Sequence, residues 1–244
     1  MEVKNIILLV IIIVLLIILI RYIATDVNTL TYLVSAQTMI TIQPSDLAYS
    51  SIAGSTSNFT YSIWFFVDDW NYRYGETKVI FGRMTSGTGT KEPCPSVTLG
   101  ATQNNIVVSL AVYPGLDEAP VDGTNYIVHT CGISNVPIQR WCNFFMSVYG
   151  RTLDLYLDGK LVRTCVLPGV AKIDSGAPIF ITPMGGFSGW TSRFQYWPDS
   201  SNPQKAWDTY KSGYGGSLLG SLFGRYTVKL SLMSGDVEEK SFSV

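Results

Sequence analysis

The chain has 244 residues, of which 14% are charged and 13% aromatic, with 22 glycines and a formal net charge of −1. Lys and Arg form no cluster longer than a pair, so the cationic footprint that neutralises a phosphate backbone is missing and nucleic acid is excluded as a partner class. Ordinary soluble domains carry about a quarter charged residues; either an apolar segment dilutes the charge here, or much of the surface packs against neighbours.

Ile6 to Ile20 is an unbroken run of fifteen Ile, Leu and Val residues. As a helix it spans about 22 Å, and Tyr22, Ile23 and Ala24 extend it toward the roughly 30 Å of a bilayer's hydrocarbon. Arg21 would snorkel to the headgroups and Tyr22 would sit at the interface. A cleavable signal peptide is the rival, but small residues at a cleavage site are lacking, because Tyr22 is too bulky two positions before Ala24. Residues 1–25 therefore read as a single-pass transmembrane anchor with the amino terminus on the cytosolic side. Residues 26–57, rich in Thr, Ser, Ala and Asn, read as a stalk, with Thr38 to Ile42 as a first strand. Asn58-Phe59-Thr60 is the one glycosylation sequon, and it reads as unused because Phe59 opens a strand.

From Trp141 the alternation is clear. Phe144, Met146 and Val148 alternate with Phe145, Ser147 and Tyr149, then Leu153, Leu155 and Leu157 with Asp154, Tyr156 and Asp158. A two-residue turn at Gly150-Arg151 places Val148 opposite Leu153, Met146 opposite Leu155 and Phe144 opposite Leu157, all on one side. Asp158-Gly159 is a second two-residue turn, suited to the positive φ of a type I′ geometry, and Lys160 to Val166 returns as a third strand. Further strands are expected at Phe59–Val67, Lys78–Arg83, Ser96–Gly100, Ile106–Tyr113, Tyr126–Cys131, Pro178–Thr182 and Phe187–Trp197, with one helix at Pro203–Lys211 stopped by Gly213. After a glycine-rich link, residues 225–244 read as a β-hairpin able to extend a sheet in a neighbour.

The stretch Phe59 to Val67 followed by Lys78-Val79-Ile80-Phe81, the block from Val136-Pro137 through Trp141 and Tyr149-Gly150 to Asp158-Gly159-Lys160-Leu161-Val162, and Gly185-Gly186-Phe187-Ser188-Gly189-Trp190 together resemble laminin-G-like, concanavalin-like jelly-roll domains over about residues 38–213. The resemblance implies an all-β, two-sheet antiparallel sandwich over residues 58–213, followed by the link and hairpin of 214–244. Asp69-Trp70-Asn71-Tyr72-Arg73-Tyr74-Gly75-Glu76, with the anchor, is similar to membrane-anchored proteins of this class from large double-stranded DNA viruses. That likeness implies a minor capsid or virion-membrane component.

Catalysis is not expected. Glucanase chemistry on this sandwich needs two carboxylates flanking a glycosidic bond. The acids here come as adjacent pairs, Asp68-Asp69, Asp117-Glu118 and Glu238-Glu239, whose side chains point to opposite faces of a strand. The lone His129 has no second His to build a zinc site with. No cofactor is expected apart from calcium, which laminin-G relatives often bind at a sandwich rim: Asp117, Glu118 and Asp122 share one loop with suitable oxygens, and Asp68, Asp69 and Asn71 another, against the alternative of solvated loop acids.

Cys94, Cys131, Cys142 and Cys165 allow two disulfides. The meander register separates Cys142 from Cys165, leaving Cys131–Cys142 with Cys94–Cys165, or Cys94–Cys142 with Cys131–Cys165. The first closes a short loop and is preferred; four reduced thiols, as in a cytosolic virion factory, are the other alternative. The expected function is a non-enzymatic structural protein that binds a bilayer through its helix and capsid or other structural proteins through an aromatic surface, with Trp70, Tyr72, Tyr74, Trp190 and Trp197 as interface residues. The alternative is a glycan-binding or adhesion module.

Overall fold

The computed structural model describes residues 11–16, 28–47, 57–85, 87, 92–115 and 124–215, and the backbone of 229–234 and 237–243. The chain divides into two compact units, one of residues 28–216 and one combining 1–27 with 217–244. In the latter, residues 11–16 are helical with exposed side chains, and strands β13 (Lys229–Ser234) and β14 (Val237–Ser243) pair as an antiparallel hairpin. Ile6, Ile20, Arg21 and Tyr22 lie outside the described residues, among which no helix is long and apolar enough to cross a membrane.

The unit of residues 28–216 is an antiparallel sandwich of two six-stranded sheets. Sheet A runs β1 (Val34–Ser35), β12 (Ser188–Trp197), β3 (Phe59–Asp69), β8 (Trp141–Tyr149), β9 (Thr152–Leu157) and β10 (Lys160–Val166). Sheet B runs β2 (Ile40–Ile42), β11 (Ile179–Ile181), β4 (Lys78–Arg83), β5 (Ser96–Leu99), β6 (Ile106–Val112) and β7 (Ile127–Ile133). Phe81 of sheet B packs on Phe194, Tyr61 and Phe144 of sheet A, with ring centroids 5.0, 5.6 and 6.4 Å away. These aromatic contacts bring the two layers together at the centre of the core.

The meander has the register that alternation predicts: Phe144 opposes Leu157, Met146 opposes Leu155 and Val148 opposes Leu153. Asp158 and Gly159 both take positive φ, 51° and 73°, as a type I′ turn requires. The helix Pro203–Lys211 is capped by the Asn202 side chain, which accepts from the Lys205 N–H at 2.9 Å, with Pro203 where no donor is needed.

One expectation is corrected. Residues 28–47, read as stalk apart from a first strand, run into the sandwich. Leu30 N–H donates to the Phe194 carbonyl at 2.8 Å, Ala36 and Leu47 are buried in the core, and β1 and β2 join different sheets. Short strands of two and three residues carry too little periodicity to stand out, and neighbours on β12 and β11 supply their hydrogen bonds.

Candidate binding site

The outer face of sheet A has a covered half and an open half. In the covered half Phe145, pointing away from the core, meets Tyr156 edge-on at 5.6 Å and Trp197 at 5.9 Å, and Ala206 of the helix closes over them. Segment 199–201 completes the cover with polar contacts: Thr60 Oγ1 donates to the Asp199 carbonyl and the Ser201 N–H donates to Ser147 Oγ, both at 2.8 Å. Trp197, expected at an open interface, is thus partly enclosed by the helix that the same sheet holds, with Lys205 Nζ 4.9 Å from its ring.

The open half carries an aromatic row. Trp190 on β12, Phe66 on β3 and Trp141 on β8 are registered partners, so they share one face. Trp190 is 47% exposed. The chain leaving the helix then lays Tyr214 flat on Trp141, 4.5 Å away at 8°, with 44% of Tyr214 still in solvent. Beside this stack, Tyr210 lies over Trp64 at 5.7 Å. Arg140 and Lys211 complete a cleft of about 530 Å3 lined by these two aromatic pairs. Trp190 was legible as a candidate. Trp64, Trp141, Tyr210 and Tyr214 were not singled out, although Trp64 and Phe66 sit two apart on the strand face opposite Ile63, Phe65 and Val67, which is the signal that marks an outward aromatic stripe.

The other aromatic candidates sit at one rim. Trp70 packs partly against the core and lines a cleft of about 470 Å3 with Gln103, Asn104, Asn105, Asn135 and Ile138. Lys78 Nζ is buried 5.1 Å above the Trp70 ring, without a hydrogen-bond partner, and burial lowers its pKa. Tyr72 is a tie rather than a free anchor, since its hydroxyl donates to the Gly185 carbonyl at 3.1 Å. Arg73 reinforces that tie through the Met184 and Gly186 carbonyls. Tyr74, 60% exposed, projects from the same loop.

A third surface lies where the edges of the two sheets meet. β10 ends sheet A and β7 ends sheet B. Cys131 and Cys165 join them in a disulfide with Cα atoms 6.3 Å apart, and Arg163 donates to the Gly132 carbonyl at 2.9 Å. Leu161, Val162 and Val166 on β10 and Val128 on β7 are exposed. The preferred pairing, Cys131–Cys142 with Cys94–Cys165, is therefore overturned. Cys142 points into the core from the middle of sheet A, out of line with the edge, and Cys94 is buried in the core ahead of β5. Burial pushes the Cys94 thiol up to about 12, despite the opposing charge of Arg83, and raises that of Cys142 as well.

The calcium candidates Asp117, Glu118 and Asp122 lie outside the described residues. At the end of β3 the Asp69 carboxylate accepts from the Asn71 N–H at 2.8 Å. Among the described residues no group of three His, Cys, Asp or Glu is placed to hold a metal ion. The sequon asparagine is engaged in the fold, with Asn58 Oδ1 accepting from the Gly150 N–H at 2.8 Å.

No protein-family model matches the sequence, nor does any curated protein. Among solved structures, the receptor-binding domain of botulinum neurotoxin D is similar over 76% of this chain and 45% of its own length, at 11% identity and a TM-score of 0.54. The binding domain of botulinum neurotoxin serotype G is similar over 74% of this chain and 46% of its own, at 12% identity and a TM-score of 0.49. The chain spans less than half the length of either, and at such identity the type D likeness shows the sandwich fold alone.

Proposed function

We propose that the chain is a non-enzymatic, single-pass membrane protein whose sandwich fastens a bilayer to other structural proteins, as a minor capsid or virion-membrane component would. The observation that carries this reading is the β10 edge, where three of seven residues are exposed aliphatics on a strand that no other strand of the described residues pairs on its outer side. Such an edge takes a partner's strand by main-chain pairing, with alternate side chains giving specificity. Lys160 and Arg163 at the same edge discourage unselective pairing. The fifteen-residue apolar run supplies the membrane link, and its residues 11–16 are helical. Cross-linking from Lys160 in the native membrane or particle, read by mass spectrometry, is expected to yield repeated links to one shell protein that disappear in a Val162→Lys variant. A body free of protein links sinks the assembly reading.

The aromatic row on sheet A favours a second reading, glycan binding, because flat rings stack on the C–H faces of sugars. The type D toxin domain, a receptor-binding domain on a similar sandwich, offers a precedent in fold and not in site.

A further inference from the structure

We infer that the cleft between Trp64, Trp141, Tyr210 and Tyr214 is a binding site for an acidic sugar residue, a proposal that rests on the glycan reading and names its ligand class. Three features of the cleft select the ligand. The first is its floor: Tyr214 stacks one face on Trp141 and leaves the rest of its ring toward solvent, a rigid platform of the size of a pyranose ring. The helix covers Phe145 on the adjacent half of the same face and lays Tyr210 over Trp64, while Trp190 and Tyr214 stay exposed. Exposed, contiguous aromatic surface of this kind marks a contact site.

The second feature is charge. Among the described residues, the two charged side chains lining the cleft are both cations, Arg140 and Lys211, and no carboxylate is in its lining. Arg140 is held in place by its ion pair with Asp158, whose other oxygen accepts the Asn143 N–H at 2.9 Å. A guanidinium has five N–H donors, so the pair orients Arg140 without exhausting it. Lys211 is the last residue of the helix, and its Nζ lies 5.8 Å from the Trp207 ring.

The third feature is an unmet donor. Trp64 is 5% exposed, lines the cleft, and its indole N–H has no acceptor. A buried donor without a partner is unfavourable, so this wall of the cleft carries an unmet polar group. Stacking rings and two cations, with no carboxylate among the described lining residues, call for a ligand with an apolar ring face, hydroxyl oxygens and a carboxylate or sulfate. The volume suits one or two sugar rings, within the roughly 300–1,000 Å3 of small-ligand sites. A nucleic acid offers rings and anions too, but the chain lacks the basic track that a phosphate backbone needs.

The test uses the full chain in detergent micelles, with tryptophan fluorescence and calorimetry as readouts. The probes are a glucuronate-containing disaccharide, its neutral methyl ester, and a glutamate-rich peptide. The acid is expected to bind saturably, and the ester about tenfold more weakly, as loss of charge-assisted hydrogen bonds implies. Lys211→Gln and Tyr214→Ala, both at exposed positions, should each weaken the acid about tenfold while the melting temperature holds. Trp70→Ala, at the other cleft, should leave binding within about twofold. Equal affinity for acid and ester, lost in Tyr214→Ala, overturns the acidic ligand and keeps the glycan reading. Sugar binding lost in Trp70→Ala but not in Tyr214→Ala overturns the site. Binding of the peptide alone, or of no probe, overturns the proposal together with the glycan reading.

Discussion

β8 and β10 flank the same strand, β9, yet β8 is buried along almost its whole length while six of the seven residues of β10 are exposed. The difference lies in position as well as in composition. β8 sends Cys142, Phe144, Met146 and Val148 into the core and Phe145 under the helix, so both of its faces are covered between its two ends. β10 carries fewer apolar residues, and its Leu161, Val162 and Val166 stay exposed although the strand meets the helix and its Cys165 packs against the core. An aliphatic side chain stabilises a strand only where something covers it; elsewhere it is available to a partner.

The largest expected effect lies on β8. Phe144→Ala should lower the free energy of unfolding by about 3–5 kcal/mol, measured by urea denaturation, because it opens a cavity beside Phe81. The edge itself should depend on its bond: Cys131→Ser, which frees a crosslink spanning 34 residues of chain, is expected to lose about 3–4 kcal/mol relative to the oxidised protein. A reduced wild type that melts with the oxidised one would show that the two sheet edges hold without the crosslink. Gly159→Ala probes the helix that shields β8. Gly159 has φ of +73° and an added Cβ would sit 2.9 Å from Trp207, so a loss of about 1–2 kcal/mol or more is expected.

Alkaline pH offers a comparable probe of the core. Between the ordinary thiol value and the raised value of about 12, the unfolded chain has lost the Cys94 proton and the native chain keeps it. Raising the pH through that window therefore favours unfolding, so the contribution is whole below pH ~8.5 and is lost progressively above it. Cys94→Ala should flatten the decline between pH ~8 and ~10 in urea midpoints, though not abolish it, because burial raises the Cys142 thiol and the Tyr196 hydroxyl in the same direction. The smallest effect belongs to β10: Leu161→Ala should change stability by no more than about 0.5 kcal/mol. A loss as large as that on β8 would mean the edge is already covered in the free protein.

The β8–β9–β10 meander was legible because everything that specifies it is local. Two-residue turns set the register, and a slip of one residue would turn Phe144, Met146 and Val148 outward. The helix was legible too, from Pro203 at its start and Gly213 as its stop, while the Asn202 cap emerged only in the structure. What covers Phe145 was not: its strand pattern reads as half-buried whether a helix or water lies over the outer face. The aromatic row was hidden for a related reason. Trp190, Phe66 and Trp141 lie far apart in the chain and become neighbours only when β12, β3 and β8 pair. Tyr72 looked like Tyr74 in the sequence, and only the Gly185 carbonyl separates a structural tie from an exposed ring.

Alternation and turn chemistry by themselves determined an all-β chain with a core-facing set on each long strand, since those depend on residues within a few positions of one another. The tertiary structure alone decided which sheet each strand joins, that Cys131 meets Cys165 and that Tyr214 meets Trp141. Contacts between residues distant in the chain depend on how whole layers pack, and a local pattern carries no record of its distant partner.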